Sequence, residues 1–564
     1  MKPTFEFKTE LLDHLEQIAF FLEYNEENPF KIRAFKGAPE LLEGFTSEEL
    51  KSKIRDKTLL EIKGIGKGIL AIAENFLSSK TSPELKAAKG DLPESLLELR
   101  EIKGLGPKKI RALAENLQIK SLGELEYACL ENRLVTLKGF GEKTQEKILA
   151  EVELAKFRRG KQLLSDALRS AEKIEAELGK KITFKRVGDL GRKLEIVNKI
   201  EYLIQTPKPQ KLLEELKGYS FVQNLEIEKE EAHLQVEDGK NIGFHFSGPE
   251  NFIVESIFRT SSENHWKSLE AAAKKVGLSL SSTQLLKSKT EIKINSEAEF
   301  YKNLKLSFYP SEAREFEATS SEIHLCEDSD LTGIFHLHTT YSDGLHSIEE
   351  MAVACQKMKW NFMGLSDHSK TAIYAQGLDE DRLAQQFKEV DAFNSKSKNF
   401  KIFKGVESDI LKDGKLDYAD STLKKFDFVI ASIHNRYGMT EMTARLIKAI
   451  ENPNTTMIGH LSGRLLLARS AYDFDSKKII DAAIANKTII ELNSSPHRLD
   501  IDWRQLYKAC DRGLVISINP DAHSIQGIQD FRYGVWMSHK ALVPKEQIFN
   551  TWPVEKIESY LQSR

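Results

Sequence analysis

The segment GIFHLHTT at residues 333–340 is an apolar run that ends in histidines, and it begins the series of runs that decides the fold. Six similar runs alternate with helical stretches further along the chain: NFMGLSDHS at 361–369, FKIFKGVES at 400–408, FDFVIASIHN at 426–435, TTMIGHLSG at 455–463, TIIELNSSP at 488–496 and LVISINPDAHS at 514–524. This alternation predicts βα units around a parallel sheet or barrel. We therefore expect a barrel-like domain over residues 332–564.

Candidate metal ligands recur where these runs end. They are His336, His338, Asp343, His368, Glu407, His434, His460, Asp521 and His523. The carboxyl ends of all barrel strands open on one face, so ligands far apart in sequence are expected to converge there. Imidazole and carboxylate groups suit Zn²⁺, Mn²⁺ or Fe²⁺. Clustered ions of this kind activate water and clamp a phosphoester, so the pattern predicts a metal-dependent phosphoesterase.

Two details qualify this pattern. An HxH pair on a strand is expected to place both histidines on one face, because strand side chains alternate. A lone histidine is more often an ordinary surface or core residue, and His346, His497 and His539 do not share the placement of the others. These three are left out of the predicted site.

Composition restricts the class of protein. A chain of 564 residues is too long to fold around one ordinary hydrophobic core, so several domains are expected. A net charge of −3 gives no sign of a nucleic-acid partner. Cysteines at 129, 326, 355 and 510 form no CxxC pair, which fits a reducing cytoplasm. No apolar run reaches roughly 18 residues and the N-terminus is polar, so neither a membrane span nor a signal peptide is expected.

A short pattern appears three times in the helical region 1–160. It reads LLEIKGIGKGILAIAENFL at 59–77, LREIKGLGPKKIRALAENL at 99–117 and LVTLKGFGEKTQEKILAEV at 134–152. Glycines allow a tight turn close to a phosphate, and the next helix offers unpaired N–H groups to that anion. The repeat predicts DNA binding through the backbone, with little sequence preference. The predicted DNA-binding residues are Gly64, Gly66, Lys67, Gly104, Gly106, Lys108, Lys109, Gly139, Gly141 and Lys143.

The C-terminal series resembles a PHP (polymerase and histidinol phosphatase) domain, a distorted βα barrel with a trinuclear metal site. The resemblance implies up to three divalent transition ions, Mn²⁺, Zn²⁺ or Fe²⁺. One ion would take His336, His338, Glu407 and Asp521; a second would share Glu407 and add His434 and His460; the third would take Asp343, His368 and His523. The family often has Asp-Leu before the first histidine, where this chain has Ile334-Phe335. Arg464 and Arg469 in GRLLLAR are candidates for gripping a substrate phosphate.

The N-terminal repeats resemble helix-hairpin-helix motifs, and ENPFKIRAFKGAPELL at 27–42 resembles the small N-terminal domain of family-X DNA polymerases. Over nearly the whole chain, the order of these segments is similar to that in the bacterial-type enzymes of the family. This implies a multidomain α+β and α/β protein. The expected domains are a helical DNA-binding domain at 1–85, helix-hairpin-helix fingers at 86–160, a nucleotidyltransferase-like palm and thumb at 161–320, and the PHP barrel at 332–564.

The palm departs from the family pattern of a Gly-Ser motif and three metal-binding aspartates. In FKRVGDLGRKLEIVNKIEYLI at 184–204, Lys199 and Glu201 stand where the paired aspartates are expected. Gly243 stands at the third position, and FRTSSENH at 258–265 is also altered. A lysine in place of a ligand repels Mg²⁺. We therefore expect an inactive palm.

The leading hypothesis is a DNA-binding metallophosphoesterase, with 3′–5′ exonuclease or 3′-end processing activity in cytoplasmic DNA repair. A working repair polymerase with an auxiliary nuclease is the second hypothesis, and Lys199 and Gly243 argue against it. A non-catalytic DNA-binding scaffold is the third, and the filled ligand positions argue against it. A small-molecule phosphatase would suit the barrel alone but would leave the hairpins without a purpose.

Overall fold

The computed structural model describes residues 7–157, 161–179, 182–216, 222–228, 231–236, 241–434 and 442–564. The chain forms two compact units: Met1–Cys129 with Leu137–Ala155, and Leu130–Thr136 with Lys156–Arg564. Within the described ranges, every helix is either too short or too polar to span a bilayer. The four cysteines are all buried free thiols.

The first unit is helical, as the apolar spacing predicts. Its helices, including two that run past its borders, are α1 (Phe7–Tyr24), α2 (Pro29–Leu42), α3 (Ser47–Arg55), α4 (Lys67–Ser79), α5 (Pro83–Lys89), α6 (Pro107–Leu117), α7 (Leu122–Leu130) and α8 (Glu142–Phe157). Short 3₁₀ turns lie at Thr58–Glu61, Glu94–Glu101 and Leu134–Thr136. Leu11, Leu15 and Phe21 of α1 are fully buried, so this helix supplies the centre of the unit's core.

The part of the second unit before the barrel, where a palm and thumb are expected, mixes helices with short antiparallel and parallel strands. Its elements are β1 (Gln162–Leu163), α9 (Leu164–Leu178), β2 (Thr183–Val187), α10 (Gly188–Gly191), β3 (Ile196–Val197), β4 (Ile200–Gln205), α11 (Pro209–Leu216), β5 (Val222–Glu228), β6 (Glu231–Val236), β7 (Asn241–Ser247), α12 (Phe252–Arg259), α13 (Glu263–Lys275), β8 (Ser279–Leu280), β9 (Leu285–Lys287), β10 (Thr290–Glu291) and α14 (Glu297–Asn303). The main sheet has the order β2-β4-β7-β6-β5. The predicted α+β character is confirmed.

The barrel contains seven parallel strands in sequence order, alternating with helices. Its elements are β11 (Gly333–Leu337), α15 (Ile348–Lys357), β12 (Phe362–Leu365), α16 (Glu380–Lys396), β13 (Lys401–Asp409), α17 (Asp420–Leu423), β14 (Phe428–Ser432), α18 (Met442–Ile450), β15 (Met457–Ile458), α19 (Ser476–Asn486), β16 (Ile489–Asn493), α20 (Trp503–Leu506), β17 (Ile516–Asn519), α21 (Phe531–Lys540) and α22 (Val554–Gln562). A parallel bridge between Leu337 and Ala522 joins the first strand to the end of the last. The predicted βα barrel is confirmed.

Aromatic side chains fill the barrel below its carboxyl end. Phe335, Phe362, Phe403 and Phe428 are all buried in one cluster. A Cβ on Gly364 would lie 2.2 Å from the Phe335 ring. The departure Ile334-Phe335 therefore supplies a core residue in the barrel and leaves the neighbouring ligand positions in place.

The palm region and the barrel share one hydrophobic core. Apolar residues of α9, β4 and β7 belong to the same buried cluster as residues of the barrel strands and outer helices. Polar contacts reinforce this packing: Glu195 accepts a 3.2 Å bond from the Trp503 indole and a 2.6 Å bond from Arg504. The ranges 161–320 and 332–564 stay predicted sequence domains, but here they form one compact unit.

Candidate metal centre and DNA-binding hairpins

The barrel strands bring all nine predicted ligands to one end. His336 and Glu407 lie on strands β11 and β13, and the others follow β11, β12, β14, β15 or β17. Eight of the nine are buried and His434 is half-buried. Four ligand clusters have donor atoms within 4.8 Å of one another: His338, Asp343, His368 and His523; His336, His338 and Glu407; His336, His460 and Asp521; His368, Glu407 and His434.

Glu407 lies at the centre of this arrangement. Its Oε1 is 2.8 Å from His460 Nε2 and 3.1 Å from His434 Nε2. Its Oε2 is 2.9 Å from His368 Nδ1. A carboxylate shared by several imidazoles is positioned to bridge two ions. This supports the predicted sharing of Glu407, while the assignment of each ligand to a particular ion stays a prediction.

Unpartnered polar atoms test whether a metal fits. Among the described residues, the buried atoms without a hydrogen-bond partner include His336 Nε2, His338 Nδ1, Asp343 Oδ2 and His523 Nε2. Buried polar groups are rarely left unsatisfied. These unpartnered atoms all belong to ligand-type side chains and lie together at one end of the barrel, which fits a cluster of divalent ions.

The backbone at this end is strained. His336, His460 and Asp521 have φ values of 59°, 24° and 54°, in the left-handed region that side chains rarely adopt. The register of β11 also shifts between Ile334 and Leu337. His336 and His338 nevertheless contribute to one ligand cluster, which agrees with the expectation that the HxH pair shares a face, although the backbone at His336 departs from a regular pleat. Strain at such residues is typical of functional sites.

Charge in the cluster favours cation binding. Although burial opposes ionisation of Asp343, His368 and His523 hold its pKa well below the usual range. The pKa of Glu407 is also well below its usual range, because nearby imidazoles, led by His434, outweigh burial. Burial opposes protonation of His368, but Asp343 and Glu407 raise its pKa well above the ordinary value. Metal binding must displace imidazole protons, so metal affinity is expected to rise with pH.

A buried acid that the sequence analysis missed supports the ligands from behind. Glu491 of β16 is fully buried, and its Oε1 lies 2.5 Å from His336 Nδ1. Its Oε2 accepts the backbone N–H of His460 at 2.7 Å. This contact fixes the ring so that His336 Nε2 faces the site. A signal was present, because TIIELNSSP was the one strand run without an assigned ligand and it contains a buried acid.

Two further acids lie close to the ligands: Asp409 contacts a predicted ligand, and Asp367 contacts the residue that follows one. Asp409 lies 2.7 Å from His434 Nδ1 and orients that ring. Asp367 accepts bonds of 2.8 Å and 2.7 Å from the N–H and hydroxyl of Thr339, in the loop that follows His338. Neither was predicted, because a carboxylate that orients a ligand looks the same in sequence as one that binds a metal.

We predict that Glu491→Gln lowers Mn²⁺ affinity about 10- to 100-fold, the usual effect of losing a carboxylate that orients a histidine ligand. The measurement is calorimetric titration of metal into the purified protein. Glu558→Gln is the control, because Glu558 contacts Lys401 in a partly exposed ion pair. Equal affinity in Glu491→Gln and wild type would contradict the orienting role.

The predicted phosphate arginines have other partners. Arg464 donates to Asp502 Oδ2 at 2.6 Å and to the carbonyl of Arg498 at 2.9 Å, and it also bonds the carbonyl of Leu499. Arg469 donates to the carbonyl of Gly463 at 3.1 Å. These contacts give Arg464 a structural role in the loop, and the phosphate role of both residues stays a prediction.

The three repeats adopt one turn geometry. The N–H groups of Ile65, Leu105 and Phe140 donate to the carbonyls three residues earlier at 2.9, 3.1 and 3.0 Å. The glycine before each has a φ of 107°, 91° or 93°. A type II turn requires a positive φ at this position, so glycine is needed there. The predicted lysines and glycines are all exposed, which leaves each turn and helix start accessible.

The predicted palm positions also come together, in an unexpected form. Glu201 pairs in register with Gly243 of the parallel strand β7. Glu201 Oε1 lies 3.0 Å from His245 Nε2 and 3.9 Å from Lys199 Nζ. A Cβ on Gly243 would lie 2.8 Å from Lys199 Nζ, so the lysine fills the space where a side chain at position 243 would stand.

Comparison with known proteins agrees with this architecture. Residues 335–495 match the PHP domain family, and residues 256–315 match the DNA polymerase beta thumb. Residues 7–82 match a helix-hairpin-helix domain, and residues 96–153 match a SAM-like helix-hairpin-helix tandem.

Whole proteins extend the comparison. A DNA polymerase/3′-5′ exonuclease PolX of Bacillus subtilis (strain 168) is 34% identical over 569 residues, covering 98% of this chain and 99% of the relative. A probable phosphatase of Caldanaerobacter subterraneus subsp. tengcongensis is 29% identical over 181 residues, covering 30% of this chain and 68% of the relative. A probable phosphatase of Thermoanaerobacter sp. (strain X514) is 28% identical over 242 residues, covering 41% and 94%.

The ligand-bearing barrel and its family match define the class of protein, a metal-dependent phosphoesterase with a PHP domain. The hairpin and thumb matches and the full-length relative then define the family. The chain belongs to the family-X DNA polymerases of the PolX type.

Proposed function

We propose that this protein is a 3′–5′ exonuclease that processes DNA 3′ ends during repair, using the barrel site. The observation that carries the proposal is the convergence of nine buried or half-buried ligands at one barrel end. The relative whose name includes 3′-5′ exonuclease spans this chain almost completely. The probable phosphatases share the barrel portion, which supports phosphoester hydrolysis as its chemistry.

The nine ligands suit up to three Mn²⁺, Zn²⁺ or Fe²⁺ ions. Ions held there would supply an activated water and neutralise charge on the phosphate. The protein's own side chains hold the geometry. Glu407 lies where it would bridge ions, and Glu491 and Asp409 fix the orientation of His336 and His434.

The hairpins would provide the contacts that bind DNA. Each presents exposed lysines beside a helix N-terminus, such as Lys108 and Lys109 at the start of α6. Lys109 Nζ lies 3.0 Å from the carbonyl of Gly104, so its charge stays beside the turn. Contacts of this kind bind phosphates and leave the base edges unread.

We predict that Gly106→Val weakens binding of duplex DNA at least about tenfold without unfolding the protein. Gly106 has an ordinary φ of −85° and an added Cβ would meet nothing within 4 Å, so the side chain would project into the space of an approaching phosphate. Anisotropy of labelled DNA measures the effect. Gly44→Val is the control, because that Cβ also meets nothing and Gly44 lies outside the hairpins. Identical losses in both variants would contradict a phosphate contact at Gly106.

We further propose that the palm holds DNA or supports the fold without transferring nucleotides. Its acids are reduced to Glu201, which already contacts His245 and lies near Lys199. Lys199 stands at the position of an expected carboxylate ligand, and its ammonium group lies 3.9 Å from Glu201 Oε1, which supports this proposal. The alternative is a working repair polymerase, favoured by the name of the full-length relative.

One experiment separates the hypotheses. The protein is incubated with a 5′-labelled primer-template and Mn²⁺, with and without nucleotides. Shortening from the 3′ end supports the exonuclease, extension supports the polymerase, and an unchanged primer under conditions of full DNA binding would favour the scaffold. Digestion of mononucleotides alone would favour a small-molecule phosphatase.

A further inference from the structure

The loop Leu130–Thr136 brings a cation to the rim of the ligand cluster. It belongs to the same compact unit as the barrel, although it lies nearly 200 residues before β11 in sequence. The guanidinium of Arg133 lies over the ring of Tyr374, 4.5 Å from its centroid. The Tyr374 ring in turn lies 6.2 Å from the rings of His368 and His434. Arg133 is therefore one aromatic ring away from two predicted ligands.

Two charged side chains of this loop, Arg133 and Glu131, lie beside the predicted ligands. Arg133 Nη1 donates to Glu131 Oε2 at 3.3 Å. Although burial opposes it, Glu131, Tyr374 and Asp343 raise the pKa of Arg133, so the guanidinium stays charged beside a predicted ligand. Glu131 is only 9% exposed, and the neighbours that stabilise its anion against burial are His523, Arg133 and Arg498. The loop thus presents an arginine and an acid to the face where substrate phosphate must enter.

Other arginines near the site make different contacts. Arg464 is bonded within its own loop. Arg498 Nε lies 3.9 Å from Asp521, a predicted ligand. Glu131, which Arg133 contacts, is not a predicted ligand, so a phosphate that replaced this one contact would leave the predicted ligands in place.

We propose that Arg133 is a substrate-binding residue of the barrel site, which grips a non-bridging phosphate oxygen of the DNA 3′ end while stacked on Tyr374. This inference rests on the proposed nuclease function. Guanidinium groups bind phosphates through charge-assisted, often paired hydrogen bonds, and stacking on an aromatic ring holds the fork in one plane. In the sequence, Arg133 immediately precedes the segment 134–152 that carries the third repeat.

The test uses the full chain loaded with Mn²⁺. We compare wild type, Arg133→Ala and Arg133→Lys, with Arg512→Ala as the control, because Arg512 pairs with Asp481 at the surface. Two properties are measured: kcat/KM for digestion of a labelled oligonucleotide, and the affinity for inorganic phosphate by its protection against thermal unfolding. Bound Mn²⁺ per chain is determined for each protein.

Arg133→Ala is expected to lower kcat/KM and phosphate affinity each about 10- to 100-fold, as for loss of a hydrogen bond between charged groups. Arg133→Lys should recover part of both, and bound Mn²⁺ should be unchanged in both variants. Faster digestion by Arg133→Ala would show that the loop shields the site, and would overturn the proposal. Unchanged phosphate affinity or loss of Mn²⁺ in Arg133→Ala would overturn it as well. If wild type digests no DNA, the proposed function fails, and the phosphate measurement still decides the role of Arg133.

Discussion

Replacing His336 and His338 together with alanine is expected to reduce Mn²⁺-dependent DNA digestion at least about 1000-fold, equivalent to about 4 kcal/mol of transition-state stabilisation. Both imidazoles are fully buried and both take part in the ligand clusters. Bound metal should fall in parallel, because the two rings contribute to three of the four clusters.

DNA binding provides the control for this change. The predicted DNA-binding glycines and lysines lie in the first unit and the ligands in the second, so the double variant should retain nearly wild-type affinity for DNA. His346→Ala is the matched control for histidine loss, since His346 is half-buried and its contact is a 3.4 Å bond from the N–H of Ile525. Digestion at the wild-type rate by the double variant would show that the metal site has been assigned to the wrong residues.

The second large effect concerns the palm. The double variant is expected to add no nucleotides to a primer-template in Mg²⁺ or Mn²⁺, even though no exonuclease remains to remove them. Nucleotidyl transfer requires two ions about 3.5–4 Å apart, held by carboxylates. The structure offers Glu201 alone at the three expected positions, and Lys199 Nζ lies 3.9 Å from it.

Primer extension with labelled nucleotides measures this outcome. Template-directed addition by the double variant, lost again in Glu201→Gln, would demonstrate a working palm. A third variant with Lys199→Asp and Gly243→Asp tests the physical reason. An added Cβ at 243 would meet the Lys199 side chain at 2.8 Å, so the two positions must be changed together to make room for carboxylates.

Much of the barrel and its ligands could be predicted because strand ends carry a local signal. Each ligand lies in the last part of an apolar run or shortly after it, and parallel strands place their ends together whatever the distance in sequence. The supporting acids lacked such a signal. Glu491 is recognised by its contact with His336, which depends on two strands being packed side by side.

Other features depended on backbone irregularity or distant contacts. The left-handed φ of 59° at His336 cannot be deduced from the alternation of an HxH pair, and it replaces the regular pleat. The position of Arg133 over Tyr374 joins segments about 240 residues apart, and no periodicity in either segment encodes it. The tight turns of the repeats could be predicted more fully. Glycine is the residue that most readily adopts a positive φ, and it stands at this position in all three repeats.

The core shared by the palm and the barrel has a consequence for how such a chain changes through its ancestry. Residues of α9, β4 and β7 are buried together with those of the barrel. Deleting the palm would expose that apolar surface to water at a cost of about 25 cal/mol for each Å². Substitutions at Lys199 or Gly243 leave the same surface covered. Loss of metal-binding side chains from a palm of this kind would therefore remove nucleotide transfer and leave the shared core intact.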